Sequence, residues 1–223
     1  MISEGSSDSV ADWGALLGGL AHELKNPLST INLNLQLMRE DPDLQSGPRA
    51  QRLTRKLDVL LQEVGRLERM LADFQRLVSN AELDRKAQDI NALVDSLLEF
   101  EAGDFRRRNV TLTGQRDQDL PQLLVDGNLF RQALLNVIKN ALEAIEGGGT
   151  LTVNTLRRGD RAIIEVIDTG PGMTPETLRL AFNVYFSTKG HGTGLGLPMV
   201  KRILERHGGL VRADSKLGVG TRL

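Results

Sequence analysis

Gly192-Thr193-Gly194-Leu195-Gly196-Leu197 decides the fold of the C-terminal half, because several unrelated architectures place glycines at this density before a helix. Small residues let backbone N–H groups approach phosphate oxygens, and a helix over Leu197–Arg206 offers its N-terminus to the same anion. A Walker A loop needs lysine and then serine or threonine after the last glycine, whereas Leu197-Pro198 stand here. A dinucleotide fingerprint needs G-x-G-x-x-G after a buried strand. The run here is one residue short, G-x-G-x-G, and Phe186-Ser-Thr-Lys-Gly-His191 before it is too polar for such a strand. Asp214, about twenty residues on, is the one feature that favours that fingerprint.

Toward the N-terminus, Asp168-Thr-Gly170-Pro-Gly172-Met173 is a glycine turn after a strand predicted at Ala162–Ile167. That strand and Thr150–Leu156 form a hairpin around Arg158-Gly-Asp160. Asn128–Ile145 reads as a helix closed by Gly147-Gly-Gly149. Its Asn136 and Asn140 are four apart, so they share one face beside the apolar row Phe130, Leu134, Val137, Ala141. Asp89–Glu101 is an amphipathic helix, and Val110–Thr113 and Leu123–Val125 are short strands. Leu197–Arg206 carries Pro198 in its first turn and Gly208-Gly209 after its end. These elements predict an α/β domain over residues 83–223, with the boundary near Asn80–Gln88.

Before that boundary the pattern is helical. One apolar row runs Leu53, Leu57, Leu60, Val64, Leu67, Leu71, Phe74, Val78, in alternating steps of four and three. That is the period of a coiled-coil seam. Leu61, Met70 and Leu77 widen it into a bundle-type face. A second row runs Val10, Trp13, Leu17, Leu20, Leu24, Leu28, Ile31, Leu35, Met38, and Asp41–Pro48 between the rows is a turn by composition. Residues 1–82 are therefore a hairpin of two long helices, each roughly 45 Å at 1.5 Å per residue. A lone hairpin leaves much of these stripes wet, and a second copy cures this as a dimeric four-helix bundle.

Composition narrows the function. The formal net charge is −1, and no polybasic run points to nucleic acid or an anionic membrane. Cysteine is absent, which excludes disulfides and thiolate metal sites, and His22, His191 and His207 are too scattered for a zinc motif. The cysteine-free composition suits a reducing cytosol, so this segment is expected to be cytoplasmic, and since no apolar run approaches the ~20 residues of a membrane helix, no direct membrane contact is expected from it, with any sensor or anchor outside it. The acidic, serine-rich first residues are not a signal peptide.

His22 lies two residues from Leu20 and from Leu24, about 200° around a helix, so it faces away from the seam. A helical histidine is ordinarily a surface residue or a satisfied core residue. The neighbours shift that weighting. Glu23 is a carboxylate able to accept the imidazole Nδ1–H, leaving Nε2 as a nucleophile. Pro27 lacks an N–H, so the helix can kink beside His22.

Leu20-Ala-His22-Glu-Leu-Lys-Asn26-Pro-Leu28 resembles the H-box of sensor histidine kinases in two-component systems. The resemblance extends, box by box in the family's order, from about Leu16 to Leu223. It implies that His22 is the phosphoacceptor, Glu23 the base in phosphoryl transfer, and Asn26 the polar residue supporting phosphatase activity. Asn136-Val-Ile-Lys139-Asn140 resembles the N-box, which implies that Asn140 offers its amide oxygen to Mg²⁺ and places Asn136 and Lys139 in the nucleotide site. Asn136 stands where related ATPases of the gyrase type carry a water-activating glutamate, and an amide cannot take that proton.

Asp168–Met173 resembles the G1 box, which implies that Asp168 accepts from the adenine amino group, with Gly170, Gly172 and Met173 around the base. Guanine presents an acceptor there, and two acceptors would face each other. Phe182 and Phe186 resemble the F-box, Ser187-Thr-Lys189 the start of the ATP lid, and Gly192–Leu197 the G2 box. Lys189 can reach the phosphates or remain a solvated lid charge, while His191 and His207 read as structural or solvated. Gly218-Val-Gly220-Thr221 resembles the last glycine box, after which the chain stops at Leu223, so an incomplete sheet edge is expected.

The resemblance implies a histidine kinase that autophosphorylates His22 from ATP. The phosphoryl group then passes to an aspartate on a response-regulator receiver domain. An ATP-hydrolysing enzyme of the gyrase–chaperone type and a silent dimeric scaffold are the rivals. Asn136 and the H-box disfavour the first, and the intact boxes disfavour the second.

Overall fold

The computed structural model describes residues 24, 27–31, 33–37, 55, 57–65, 67, 70–72, 74, 82–189 and 192–223. The chain divides into two compact units, Met1–Ser79 and Asn80–Leu223.

In the first unit every described residue between 24 and 74 is helical. The predicted seam does not bury as a single row. Leu60 is buried and Leu67 and Phe74 are half-buried, whereas Leu57, Val64 and Leu71 are exposed. Each set repeats every seven residues, so the two sets are the two alternating positions of one heptad pattern. One points into the hairpin with Met70 and Pro27, and the other points out of it with Leu61, which is 70% exposed.

The second unit is an α/β layer. Its elements are β1 (Lys86–Gln88), α1 (Ile90–Phe100), α2 (Ala102–Arg107), β2 (Val110–Thr113), β3 (Leu123–Val125) and α3 (Gly127–Ala144), then β4 (Gly149–Arg158), β5 (Arg161–Asp168), α4 (Pro175–Leu180), α5 (Gly196–Arg206), β6 (Asp214–Lys216) and β7 (Gly220–Arg222). β1 and β3 form a small antiparallel ribbon, and the main sheet has the order β2-β4-β5-β7-β6. β2 runs parallel to β4 and the other neighbours are antiparallel, so the sheet is mixed.

Helix starts follow their caps. Asp89 accepts the Ala92 N–H, and Asp126 accepts those of Asn128 and Leu129. Such carboxylate caps satisfy donors that a helix cannot pair internally, a contribution of about 1 kcal/mol each. Ile90, Leu93, Val94, Leu97 and Leu98 give α1 its buried face, and Phe130, Ala133, Leu134, Val137, Ile138, Ala141 and Leu142 give α3 its own. These spacings of three and four residues are the helical stripe read from the sequence. The sheet meets the helices through every second residue of β4, with Leu151, Val153 and Thr155 all buried.

The end of the chain forms the short β7. β7 is an inner strand, between β5 and β6, but it covers only the end of β5, so the incomplete edge expected from the sequence lies along Arg161–Glu165, which no strand among the described residues pairs on that side. Ile167 pairs with Arg222 and Asp168 with Thr221, and Val166 and Leu223 exchange both backbone hydrogen bonds at 2.9 Å. On its other side β5 pairs with β4 over its full length, at eight positions. The sheet edge on this side is β6.

Candidate nucleotide site

Asp168 is the last residue of β5, where the sequence reading ends the strand one residue earlier. The alternation of the strand explains its position. Val166 points to the core, so Asp168 does too, and it pairs across the ladder with the fully buried Leu151. The result is a carboxylate only 7% exposed at the core end of the sheet. Its Oδ1 accepts the Gly170 N–H at 2.9 Å and the Thr221 N–H at 3.3 Å. Among the described residues no hydrogen bond engages Oδ2, which leaves one anionic acceptor for a ligand. Burial pushes the Asp168 carboxyl above its ordinary range, opposed by these two backbone donors and by the charge of Lys189.

The turn after Asp168 is held from behind. Gly172 has φ +69°, and a Cβ there would lie 2.1 Å from the Lys216 carbonyl oxygen, so glycine alone fits. Met173 donates its N–H to Ser215 Oγ at 2.8 Å. Ser215 in turn donates to the Gly220 carbonyl and meets Thr221 Oγ1. Gly170 packs on Ala144 at the end of α3.

Asn136 and Asn140 are half-buried on α3, and Lys139 between them is exposed. Asn140 Nδ2 lies 3.6 Å from where a Cβ would stand on Gly196, the first residue of α5. The amide of the helix therefore faces the glycine run directly. No side chain caps α5. The buried Leu195 precedes it, and Pro198, lacking an N–H, sits in the first turn. Gly196 and Leu197 consequently offer their N–H groups at the positive end of an eleven-residue helix. Thr193 turns its Oγ1 toward the Leu195 N–H at 3.4 Å.

Gly194 is the hinge of this run. It has φ +65° and packs on the Tyr185 backbone so closely that a Cβ would meet it at 2.4 Å. Tyr185 donates its N–H to the Gly194 carbonyl at 3.0 Å and itself takes φ +65°, a conformation that costs a bulky residue energy. The strain joins the segment carrying the half-buried Phe182 and Phe186 to the glycine run.

Lys189 Nζ makes an ion pair with Glu143 Oε2 at 2.7 Å, one helical turn beyond Asn140. The sequence reading misses Glu143 and Ser215. Positions 136, 140 and 143 share a helix face, a signal that could have found Glu143, whereas nothing local marks Ser215. His207 is structural. Its Nε2 accepts the Asp126 N–H at 2.9 Å, its Nδ1 donates to the Ile203 carbonyl, and its ring meets Phe130 edge to face. A cavity of about 460 Å³ between α1, α2 and β2 is lined by none of these residues.

The structure thus brings together Asp168, Gly170, Gly172, Met173 and Thr221 at one end, and Asn140, Lys189 and Gly192–Leu197 at the other. Lys139 is exposed on α3, and among the described residues no hydrogen bond or ion pair joins it to them. His22, Glu23, Asn26 and His191 lie outside the described residues. Among the described residues, no helix is long and apolar enough to cross a membrane.

Two family profiles match the chain. The His Kinase A (phospho-acceptor) domain matches residues 12–83. The histidine kinase-, DNA gyrase B-, and HSP90-like ATPase matches residues 125–223. The sensor histidine kinase ZraS of Salmonella typhi is 36% identical over 208 residues, covering 93% of this chain and 44% of that protein. Sporulation kinase C of Bacillus subtilis is 30% identical over 208 residues, covering 92% of this chain and 46% of the relative. The chain spans less than half the length of these relatives. Among solved structures, full-length ShkA in complex with AMPPNP superposes with a TM-score of 0.68 at 25% identity, covering 92% of this chain and 44% of that one. Histidine kinase ThkA in complex with the response regulator protein TrrA gives 0.78 at 20% identity, covering 96% and 61%, and bears on the fold alone.

Proposed function

Since the chain belongs to the sensor histidine kinases of two-component systems, we propose that it is an ATP:protein-L-histidine phosphotransferase that phosphorylates its own His22 and passes the group to an aspartate of a response-regulator receiver domain. The observation that carries the reading is Asp168, a buried carboxylate with a spare acceptor oxygen, whose following turn packs on Ala144 of the same helix that presents Asn140 to an uncapped, glycine-led helix. One end suits a base with an exocyclic amino group, and the other suits phosphates.

In this reading Asp168 Oδ2 accepts from the adenine N6 amino group, Gly170, Gly172, Met173 and Thr221 shape the base pocket, and Phe186 borders the lid. Gly192–Leu197 receive the phosphates on backbone N–H groups, assisted by Lys189. Asn136 and Lys139 belong to the same site by the family's pattern. Among the described residues no cluster of three His, Cys, Asp or Glu side chains could hold a metal. By the family's pattern Mg²⁺ would be bound through phosphate oxygens, water and one amide oxygen, that of Asn140, a donor set this hard cation accepts. When bound, the metal would supply charge neutralisation of the transferring group.

The protein's part in the chemistry is positioning. Glu23 holds the His22 Nδ1 proton, so that the neutral Nε2 attacks in line. Asn136, an amide where a water-activating carboxylate would be needed, disfavours hydrolysis. Asn26 would orient water when the receiver is dephosphorylated. Residues 1–82 form the dimerisation and phosphotransfer hairpin and 83–223 the catalytic domain. Leu57, Leu61, Val64 and Leu71 support a homodimer, since they form an outward heptad face that a single hairpin leaves exposed. Cytoplasmic placement goes with the proposed receiver partner.

Incubation with Mg-ATP tests the reading against its rivals. A kinase yields acid-labile, base-stable phosphoprotein. Stoichiometric release of free phosphate without phosphoprotein would replace it with an ATPase, and neither product would leave a scaffold.

A further inference from the structure

Lys189 has one ammonium group and two prospective partners. Its observed partner is Glu143, at 2.7 Å. Glu143 lies three residues after Asn140, so both occupy one face of α3, the face that meets Gly196. The Lys189 end of the lid is also tied to the glycine run. A Cβ on Gly192 would lie 2.3 Å from Ser187 Oγ and 3.5 Å from Lys189 Cβ, and the Lys189 N–H bonds to Ser187 Oγ. Lys189 is near enough to Asp168 for its charge to be felt there. The cation therefore stands within the site, not on a remote surface. Paired with Glu143 it contributes almost no net charge, and Glu143 itself repels an anion entering beside Asn140.

We propose that Glu143 is a positioning residue that competes with the nucleotide's phosphates for Lys189, so that the phosphates must displace the ion pair to gain the lid cation. This rests on the nucleotide reading above and adds to it a carboxylate that tempers affinity for the phosphates. Both side chains are partly exposed, 39% for Lys189 and 48% for Glu143, so the competition is modest. An exposed pair of this kind can change affinity by roughly two- to fivefold. Its sign is definite. Removing the carboxylate should tighten binding of ATP and ADP and leave adenosine, which has no phosphate, unchanged.

The test is calorimetric titration of the full chain with ATP, ADP and adenosine, with and without Mg²⁺, for the unaltered protein, Glu143→Gln, Glu143→Asp, Lys189→Met and Glu143→Gln/Lys189→Met. The expected result is a gain of about two- to fivefold for ATP in Glu143→Gln, smaller in Glu143→Asp, and largely lost in the Lys189→Met background. Trypsin cleavage after Lys189, followed by mass spectrometry without nucleotide, should be faster in Glu143→Gln, because the pair no longer holds the side chain. Unchanged or weaker ATP binding by Glu143→Gln, or an equal gain in the Lys189→Met background, would overturn the proposal while leaving the nucleotide site in place. An unaltered chain that binds neither ATP nor adenosine would overturn both.

Discussion

Asp168→Asn keeps the outline of the side chain and its Oδ1 acceptor, and replaces the Oδ2 acceptor with an amino donor. The two backbone bonds, from Gly170 at 2.9 Å and Thr221 at 3.3 Å, survive in this variant. The Gly172 turn and the pairing of β5 with β7 should therefore persist. What is lost is one charge-assisted acceptor in a site only 7% exposed. Hydrogen bonds to charged groups are worth about 1.5–3 kcal/mol, so ATP should bind about 10- to 150-fold more weakly. The new donor faces the adenine amino group and suits the guanine carbonyl, so preference for ATP over GTP should vanish or invert.

Stability should move the other way. Burial raises the folded-state carboxyl above its ordinary value of 3.8. A raised carboxyl binds its proton more tightly when folded, so its contribution is fully present below the unfolded pKa and is lost as pH rises through the folded one. At neutral pH the ionised carboxylate is thus a burden that the neutral amide of the variant does not carry. Asp168→Asn should melt no lower than the unaltered protein at pH 7, with the difference shrinking or reversing as the pH falls toward 3.8 and below. Competition titration of ATP against GTP and melting curves at several pH values measure both effects. Unchanged affinity and selectivity in a folded variant would refute the assignment of the base pocket to Asp168.

Val64→Asp places a charge on the exposed heptad face without entering the hairpin interior. It should shift the assembly from dimer to monomer by light scattering with little loss of helical circular dichroism. Leu60→Asp, on the inward set, should cost several kcal/mol and unfold the hairpin. His207→Ala removes the acceptor of the Asp126 N–H and the edge contact with Phe130. It should lower stability by about 1–3 kcal/mol in denaturant melts while leaving labelling by ATP intact.

The sequence is legible where burial imposes a period. α1, α3, α5 and the β4–β5 hairpin have continuous apolar stripes or alternation, and their bounds fall within a few residues of the expectation. β1, β6 and β7 are not legible. Each has three residues, and none of the three carries two buried side chains. Their pairing depends on distant partners, not on local pattern. α4 leaves a readable trace, Thr174 as N-cap with Pro175 at the first helical position, but six residues show no period. Asp168 is instructive. The sequence reading ends the strand at Ile167, yet the alternation set by Val166 carries Asp168 inward as the last strand residue. A local rule broken at that position marks the site. The pairing of Lys189 with Glu143 spans 46 residues and belongs to the fold alone.

The central claim is that His22 accepts the phosphoryl group, and mapping the labelled residue tests it most directly. The full chain is incubated with Mg-ATP carrying a labelled γ-phosphate, digested under mildly basic conditions, and the modified peptide is sequenced by mass spectrometry. The account predicts one acid-labile phosphohistidine, at His22, absent from His22→Ala and strongly reduced in Asp168→Ala. Undiminished labelling of His22→Ala, or label on His191 or His207, would contradict it.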